Sequence, residues 1–207
     1  RPVIEDFFTA AAKISHGGMR VGSFAAYVPM GSAVYDECVK SLHLDHKGKN
    51  YGWNITDEFT EALKAGDHSA QEKFTESLYT KLLTGKGYYF FPDKANRHRP
   101  QMYKDMGLDI KASNLCTEIM LHSSEDLSFS CILSSLNLVH WDYIKNSDAV
   151  QVARVFLDCV CSEFLEISEG VRGLEKVREF TRLGRAVGLG TMGFGTLLQQ
   201  ERIPYDG

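Results

Sequence analysis

Asn114, Cys116 and Glu118 occupy every second position of the run Ser113-Asn114-Leu115-Cys116-Thr117-Glu118-Ile119. An amide both donates and accepts hydrogen bonds, a thiol is a nucleophile or one-electron centre, and a carboxylate is a base. Were the run extended, the two-residue period of a strand would turn all three side chains to one face, within reach of one substrate. A second thiol, Cys131, follows in Ser130-Cys131-Ile132-Leu133-Ser134-Ser135-Leu136-Asn137-Leu138. Each residue alone has a plainer reading: a buried strand thiol for Cys116 or Cys131, a strand-edge ion pair for Glu118, a turn for Asn114. The joint pattern favours chemistry.

The elements that must position these groups follow from periodicity and punctuation. Residues 3–14 read as a helix with an apolar face at Ile4, Phe7, Phe8, Ala11 and Ile14, stopped at His16-Gly17-Gly18. Residues 23–28 read as a strand, and Ser32 as the cap of a helix to about Leu42. A charged turn over 43–50 precedes a short strand at Tyr51-Gly52-Trp53-Asn54-Ile55, and Asp57 caps a helix to Lys64. Ser69 caps another helix, with Phe74, Leu78 and Leu82 as its stripe and Gly85 as its end. Residues 88–91 form an aromatic strand, and 92–107 a basic loop in which Arg97-His98-Arg99 is a solvated surface.

The two thiol-bearing segments, 113–121 and 129–139, are expected to be extended. Residues 142–168 are expected to be mostly one long helix and 174–181 another, with 185–189 extended and 192–200 helical. Strands alternate with helices throughout, which implies an α/β chain with βαβ units and a largely parallel sheet or barrel, in one domain or a piece of one.

Composition narrows the classes. The chain has 207 residues, 43% hydrophobic and 24% charged, enough for one sizeable core. A net charge of −4 argues against a nucleic-acid partner. No apolar run approaches the roughly 20 residues of a membrane span. Residue 1 is Arg, so processing or excision from a longer chain is expected. Five cysteines, an odd number, imply a reducing, cytoplasmic setting rather than a disulfide framework. No zinc spacing occurs, and no metal site is expected. Cys38, Cys159 and Cys161 fall in helical patterns and read as core. Gly188-Leu189-Gly190-Thr191-Met192-Gly193 matches a dinucleotide fingerprint, but no βαβ unit with a distal acid can follow it here; close strand–helix packing accounts for its glycines.

The words Ser-Asn-Leu-Cys-Thr-Glu-Ile (113–119) and Cys-Ile-Leu-Ser-Ser-Leu-Asn-Leu (131–138) resemble the active-site segment of the large, catalytic subunit of class I ribonucleotide reductases. Residues 16–27 resemble that family's specificity loop and the strand after it; 51–55 and 182–190 resemble later elements. The resemblance implies part of a ten-stranded α/β barrel of two parallel half-barrels with a central finger loop, and so a partial barrel domain over 1–207. It implies radical reduction of ribonucleoside diphosphates to 2′-deoxyribonucleotides.

The same resemblance implies roles. Cys116 is the thiyl, Glu118 the base for the 3′-hydroxyl, Asn114 the holder of the hydroxyls, and Cys131 half of the reducing dithiol. Leu115 and Thr117 line the substrate with them. Gly17, Gly18, Arg20 and Gly22 belong to the specificity loop, with Arg20 toward base or phosphate. No cofactor is expected on this chain: the radical comes from a metal-containing small subunit, and a nucleoside triphosphate effector and ATP act on the whole enzyme. Further partners are the other chain or chains of the large subunit and thioredoxin or glutaredoxin.

The resemblance covers a middle slice, without the ATP-cone domain, the partner of Cys131, the phosphate-binding loop, the tyrosine pair or the C-terminal cysteines, so the chain alone is expected to be inactive. One departure is Gly31-Ser32 after Met30, where the family often has Trp-His. A cobalamin-dependent class II relative is an alternative, though that class more often shows Pro-Cys-Gly-Glu. A non-catalytic nucleotide- or partner-binding fragment is another, and it would have no use for the thiol.

Overall fold

The computed structural model describes residues 3–16 and 18–206, with the side chains of Ser15, His16 and Arg20 excepted. Helix α1 (Val3–Lys13) leads to a small antiparallel hairpin, β1 (Ser15–His16) with β2 (Arg20–Val21), where the sequence suggested only a stop. Then come β3 (Ala25–Pro29), α2 (Ala33–Leu44), β4 (Asn50–Asn54), α3 (Asp57–Lys64), α4 (His68–Thr84) and β5 (Tyr88–Phe90). Strands β3, β4 and β5 pair in that order, all parallel, as βαβ crossovers require. The chain divides into two compact units, Arg1–His122 and Ser123–Gly207.

In the first unit the parallel sheet has two distinct faces. Ala26, Val28, Tyr51 and Trp53 alternate onto one, where they meet Tyr35, Val39 and Leu42 of α2 in the core. Trp53 stacks on Tyr51 (centroids 5.4 Å) and meets Tyr35 edge-on (4.9 Å). Tyr27, Gly52 and Asn54 alternate onto the other face, the one that carries the site. Of the expected stripe on α1, Phe8 is core, while Phe7 and Ile14 are exposed.

Several caps differ from expectation, and each difference has a hydrogen bond behind it. Thr56, not Asp57, caps α3: its hydroxyl accepts from Phe59 N at 3.1 Å. Asp67, not Ser69, caps α4 by accepting from Ala70 N at 2.8 Å. Ser32 precedes α2, but its hydroxyl donates to Pro29 O instead of capping. Gly85, at φ 69°, ends α4 as expected. The α4 stripe is a correction too. Phe74 packs against the core as expected, but Leu78 and Leu82 are exposed, and α4 also buries Ala70, Ser77 and Thr80. The hydroxyls of Ser77 and Thr80 pair with Tyr89 Oη (2.9 Å) and His43 Nε2 (2.8 Å), so a polar stripe is buried at little cost.

The basic stretch 92–107 is not a loop. Pro92 opens a short helix, α5 (Pro92–Arg97), and α6 (Gln101–Asp105) follows.

In the second unit β6 (Leu133–Asn137) pairs in parallel with β7 (Gly188–Met192). The long helix expected over most of 142–168 is present as α8, but its start is interrupted. A 3-10 turn (Leu138–His140) leads into α7 (Trp141–Lys145), and α8 (Ala149–Ile167) starts afresh. Between them Asn146 Nδ2 donates to Asp142 O (2.8 Å) and Ser147 Oγ to Ile144 O (3.3 Å), side chains competing for carbonyls that a continuous helix would use. After α9 (Glu175–Gly184) comes Arg185 at φ 43°, then β7, then α10 (Phe194–Glu201).

The glycine-rich run is therefore a strand–turn–helix joint. A Cβ at Gly188 would lie 2.5 Å from Leu133 Cδ2, and one at Gly193 (φ 75°) 2.9 Å from Asn137 Oδ1. Gly188 admits a side chain of β6, while Gly193, at the start of α10, also meets Val139 of the 3-10 turn (Cγ2 at 3.1 Å), in keeping with the close packing expected. Cys161 is buried, but Cys159 is exposed, which corrects its assignment to the core. No described helix is long and apolar enough to cross a membrane, and no cluster of three or more metal-ligating side chains occurs among the described residues.

Candidate functional site

Residues 113–119 are not a strand. The alternation argument for Asn114, Cys116 and Glu118 fails because this run has no ladder partner; it folds back on itself as a turn. Asn114 N donates to Ile119 O (3.3 Å), Ile119 N to Asn114 Oδ1 (3.0 Å), and Thr117 N to Asn114 O (3.2 Å). Ser113 Oγ adds a bond to Ile119 O at 2.9 Å. Thr117 takes φ 71°, a left-handed conformation that is costly for a β-branched residue. Such an outlier persists only where its surroundings over-determine it, and such sites are often functional.

The turn nonetheless does what the strand was invoked to do. Asn114 Nδ2 donates to Glu118 Oε2 at 2.9 Å, joining amide and carboxylate. Cys116 lies between them in sequence, at the tip, and is exposed; Leu115 and Thr117 beside it are half-buried. A base oriented by an amide, with a solvent-accessible sulfur in the same turn, can hold a hydroxyl-bearing substrate and act on it by proton or hydrogen-atom transfer.

The segment carrying the turn is fastened by side chains that sequence reasoning did not single out. From the sheet, Asn54 Nδ2 donates to Lys111 O (3.0 Å) and Tyr27 Oη to Asn114 O (3.1 Å). From α5, Asn96 grips Ile110 at both ends, accepting from its N–H (2.8 Å) and donating to its carbonyl (2.9 Å). Arg99 donates to Asn96 Oδ1 (3.1 Å) and pairs with Asp109. His122, buried, donates from Nδ1 to Asp109 O at 2.6 Å. Arg97, in turn, pairs with Asp57. Of the stretch expected to be solvated, Arg97 and His98 are exposed as expected, whereas Arg99 is largely buried against Asn96 and Asp109 and acts as a scaffold. The signal available for it was Asn96 amid the arginines, since Asn readily bonds backbone groups.

Burial pushes the Tyr27 hydroxyl above its usual pKa, partly opposed by a hydrogen bond with Ser113, so it stays a donor. A cavity of about 350 Å³ borders the turn, lined by Tyr27, Phe90, Phe91, His98, Thr117 and Met120 among others.

The remaining sequence candidates are described by their own elements. Cys131 is exposed, just ahead of β6, in the second unit. Gly18 lies in the β1–β2 turn at φ 74°. Gly22 is a packing glycine: a Cβ there would lie 2.6 Å from Ala11 O of α1, and its N–H donates to Ile14 O at 2.7 Å. Arg20 contributes its backbone to β2, opposite His16. Gly17 and the Arg20 side chain lie outside the described residues.

Comparison with known proteins places this geometry. Residues 33–207 match the family model for the ribonucleotide reductase barrel domain. A putative ribonucleoside-diphosphate reductase large subunit of Frog virus 3 is 33% identical, over 92% of this chain and 38% of that protein. The ribonucleoside-diphosphate reductase large subunit of Invertebrate iridescent virus 3 is 32% identical, over 74% of this chain and 24% of its own length. Among solved structures, the class Id ribonucleotide reductase alpha subunit of Actinobacillus ureae superposes with a TM-score of 0.85 at 40% identity, covering 90% of this chain and 36% of that one. The chain thus spans well under half the length of each of these relatives. A family match over most of the chain, with an α/β fold shared at 40% identity, shows that it belongs to the ribonucleotide reductase barrel-domain family.

Proposed function

We propose that this chain supplies the radical-bearing part of a class I ribonucleoside-diphosphate reductase large subunit. The observation that carries the reading is the Asn114–Glu118 hydrogen bond of 2.9 Å across a turn with the exposed Cys116 at its tip. In this reading the parallel strands of both units belong to a ten-stranded barrel, and residues 113–119 are its finger loop.

The chemistry follows from the groups. Replacing a 2′-hydroxyl by hydrogen requires a carbon radical next to the C–O bond. A thiyl at Cys116 takes the 3′-hydrogen, forming an S–H bond, and Glu118 takes the 3′-hydroxyl proton while Asn114 holds the hydroxyls. The 2′-oxygen leaves as water. A dithiol, half of it Cys131, gives up two electrons and two protons and becomes a disulfide, and Cys116 returns the hydrogen to C3′. The substrate is a ribonucleoside diphosphate. The partners are the rest of the large subunit, a metal-containing radical-generating subunit, and a small dithiol reductant such as thioredoxin or glutaredoxin. Gly17, Gly18 and Arg20 form part of the loop that senses a nucleoside triphosphate effector.

The test is Cys116→Ser in the complete, assembled reductase. Serine is nearly isosteric, but its O–H bond is too strong for reversible radical exchange. Nucleotide binding should persist while deoxynucleotide formation falls to the no-enzyme blank. Turnover well above that blank would refute the assignment.

A further inference from the structure

We infer that Tyr27 is a positioning residue for the Cys116 turn, and that Gly52 is glycine so that Tyr27 can reach it; this deepens the proposed function and rests on it. The two residues are direct cross-strand partners in β3 and β4, on the sheet face opposite the one that packs on α2. The Tyr27 ring leans over Gly52 so closely that a Cβ there would lie 2.3 Å from Tyr27 Cε1 and 2.4 Å from Cδ1, nearer than atoms can approach. It meets Phe90 of β5 edge-on, with centroids 5.7 Å apart. Laid across the sheet in this way, the ring carries its hydroxyl to Asn114 O at 3.1 Å.

Asn114 is the residue on which the turn closes. Its carbonyl also accepts from Thr117 N, its backbone N–H reaches Ile119, and its side chain holds Glu118. The turn carries a strained Thr117 and borders a cavity of about 350 Å³, so on that side it has no floor of packed side chains. Tyr27 supplies a rigid strut from β3, whose residues are hydrogen-bonded to β4. An aromatic ring has few rotatable bonds, and this one is confined between Gly52 and Phe90. Hydrogen-atom transfer is sensitive to placement, and a shift of about 1 Å can cost on the order of 100-fold in rate. Tyr27 touches the turn through a backbone carbonyl, so its loss alters where Cys116 and Glu118 sit rather than what they are.

The experiment uses the complete, assembled reductase in four forms: wild type, Tyr27→Phe, Gly52→Ala and the double variant, with Cys116→Ser as control. Tyr27→Phe keeps the ring and removes one hydrogen bond. It should lower kcat by about threefold to tenfold, leave KM within about twofold, and leave the melting temperature unchanged. Gly52→Ala displaces the ring and should lower kcat at least as far. Because the hydroxyl is then already out of reach, adding Tyr27→Phe to Gly52→Ala should cost nothing further, a non-additive cycle. Should Gly52→Ala fold poorly, the Tyr27→Phe result decides alone.

Wild-type kcat in Tyr27→Phe overturns the inference. So does a raised KM at unchanged kcat, which would mark a substrate contact. So does a kcat loss that only tracks a lowered melting temperature, which would mark a structural tyrosine. An inactive Cys116→Ser beside an unaffected Tyr27→Phe removes this inference alone. An active Cys116→Ser removes the proposed function and this inference with it.

Discussion

Asn114 Nδ2 and Glu118 Oε2 lie 2.9 Å apart, joined across a turn rather than along a strand. The amide fixes one carboxylate oxygen, and under the proposed function the other meets a substrate hydroxyl. Glu118→Gln keeps an acceptor for Asn114 but removes the group proposed as the base. It should cut turnover by at least about 100-fold with substrate affinity little changed, as read by steady-state kinetics beside nucleotide binding. Asn114→Ala should harm both, because it also unties Ile119 N from the turn.

Thiol accessibility divides the cysteines. Cys116, Cys131 and Cys159 are exposed; Cys38 and Cys161 are buried. Burial pushes the Cys38 thiol up to about 11 and raises Cys161 as well, so neither presents much thiolate near neutrality. Iodoacetamide at pH 8 should label the first three in the folded chain within minutes and the other two only after denaturant is added. Peptide mapping reads the outcome, and early labelling of Cys38 would contradict the packing of α2.

Thr117 at φ 71° invites a glycine. Relief of a left-handed β-branched residue, roughly 1–2 kcal/mol, outweighs or balances the added chain entropy of glycine, roughly 0.5–1 kcal/mol. Thr117→Gly should therefore leave the denaturation midpoint unchanged or slightly raised. A clear fall would mean that the Thr117 side chain holds the turn by contacts that offset its strain.

Arg185 ties the end of α9 to α8: its Nε donates to Asp158 Oδ1 (2.7 Å), and its terminal nitrogen to Asp158 O (2.6 Å) and Ser162 Oγ (2.7 Å). The hydrogen bond from Arg185 holds the Asp158 carboxyl below its ordinary value of 3.8. A depressed folded-state pKa means that the contribution is fully present above the ordinary carboxylate range and is lost as pH falls through the lowered value. Thermal melts from pH 6 down to 3 should show a shallower acid decline for Asp158→Asn than for wild type. The difference should be small, because the pair is solvated.

Much of this protein is settled by local sequence. Thr56, Asp67, Pro92 and Gly85 start or stop helices through bonds and dihedrals that reach no further than a few residues. Strand–helix alternation over 25–90 forces parallel pairing whatever lies around it. The residue types of Asn114, Cys116 and Glu118 name their chemistry without coordinates.

What brings those groups together is tertiary. A period of two is a strand only if a neighbour completes the ladder, and residues 113–119 have none, so the backbone satisfies itself in a turn and the amide meets the carboxylate by folding back. The same holds for α4, whose buried face is polar because Tyr89 and His43 lie opposite, and for Cys159, which a helical pattern alone could not distinguish from Cys161. Arg99 reads as part of a solvated surface until Asp109 and Asn96 close on it. Pattern shows what a side chain can bond; only the packed sheet, with Tyr27 laid over Gly52, decides which partner is within reach.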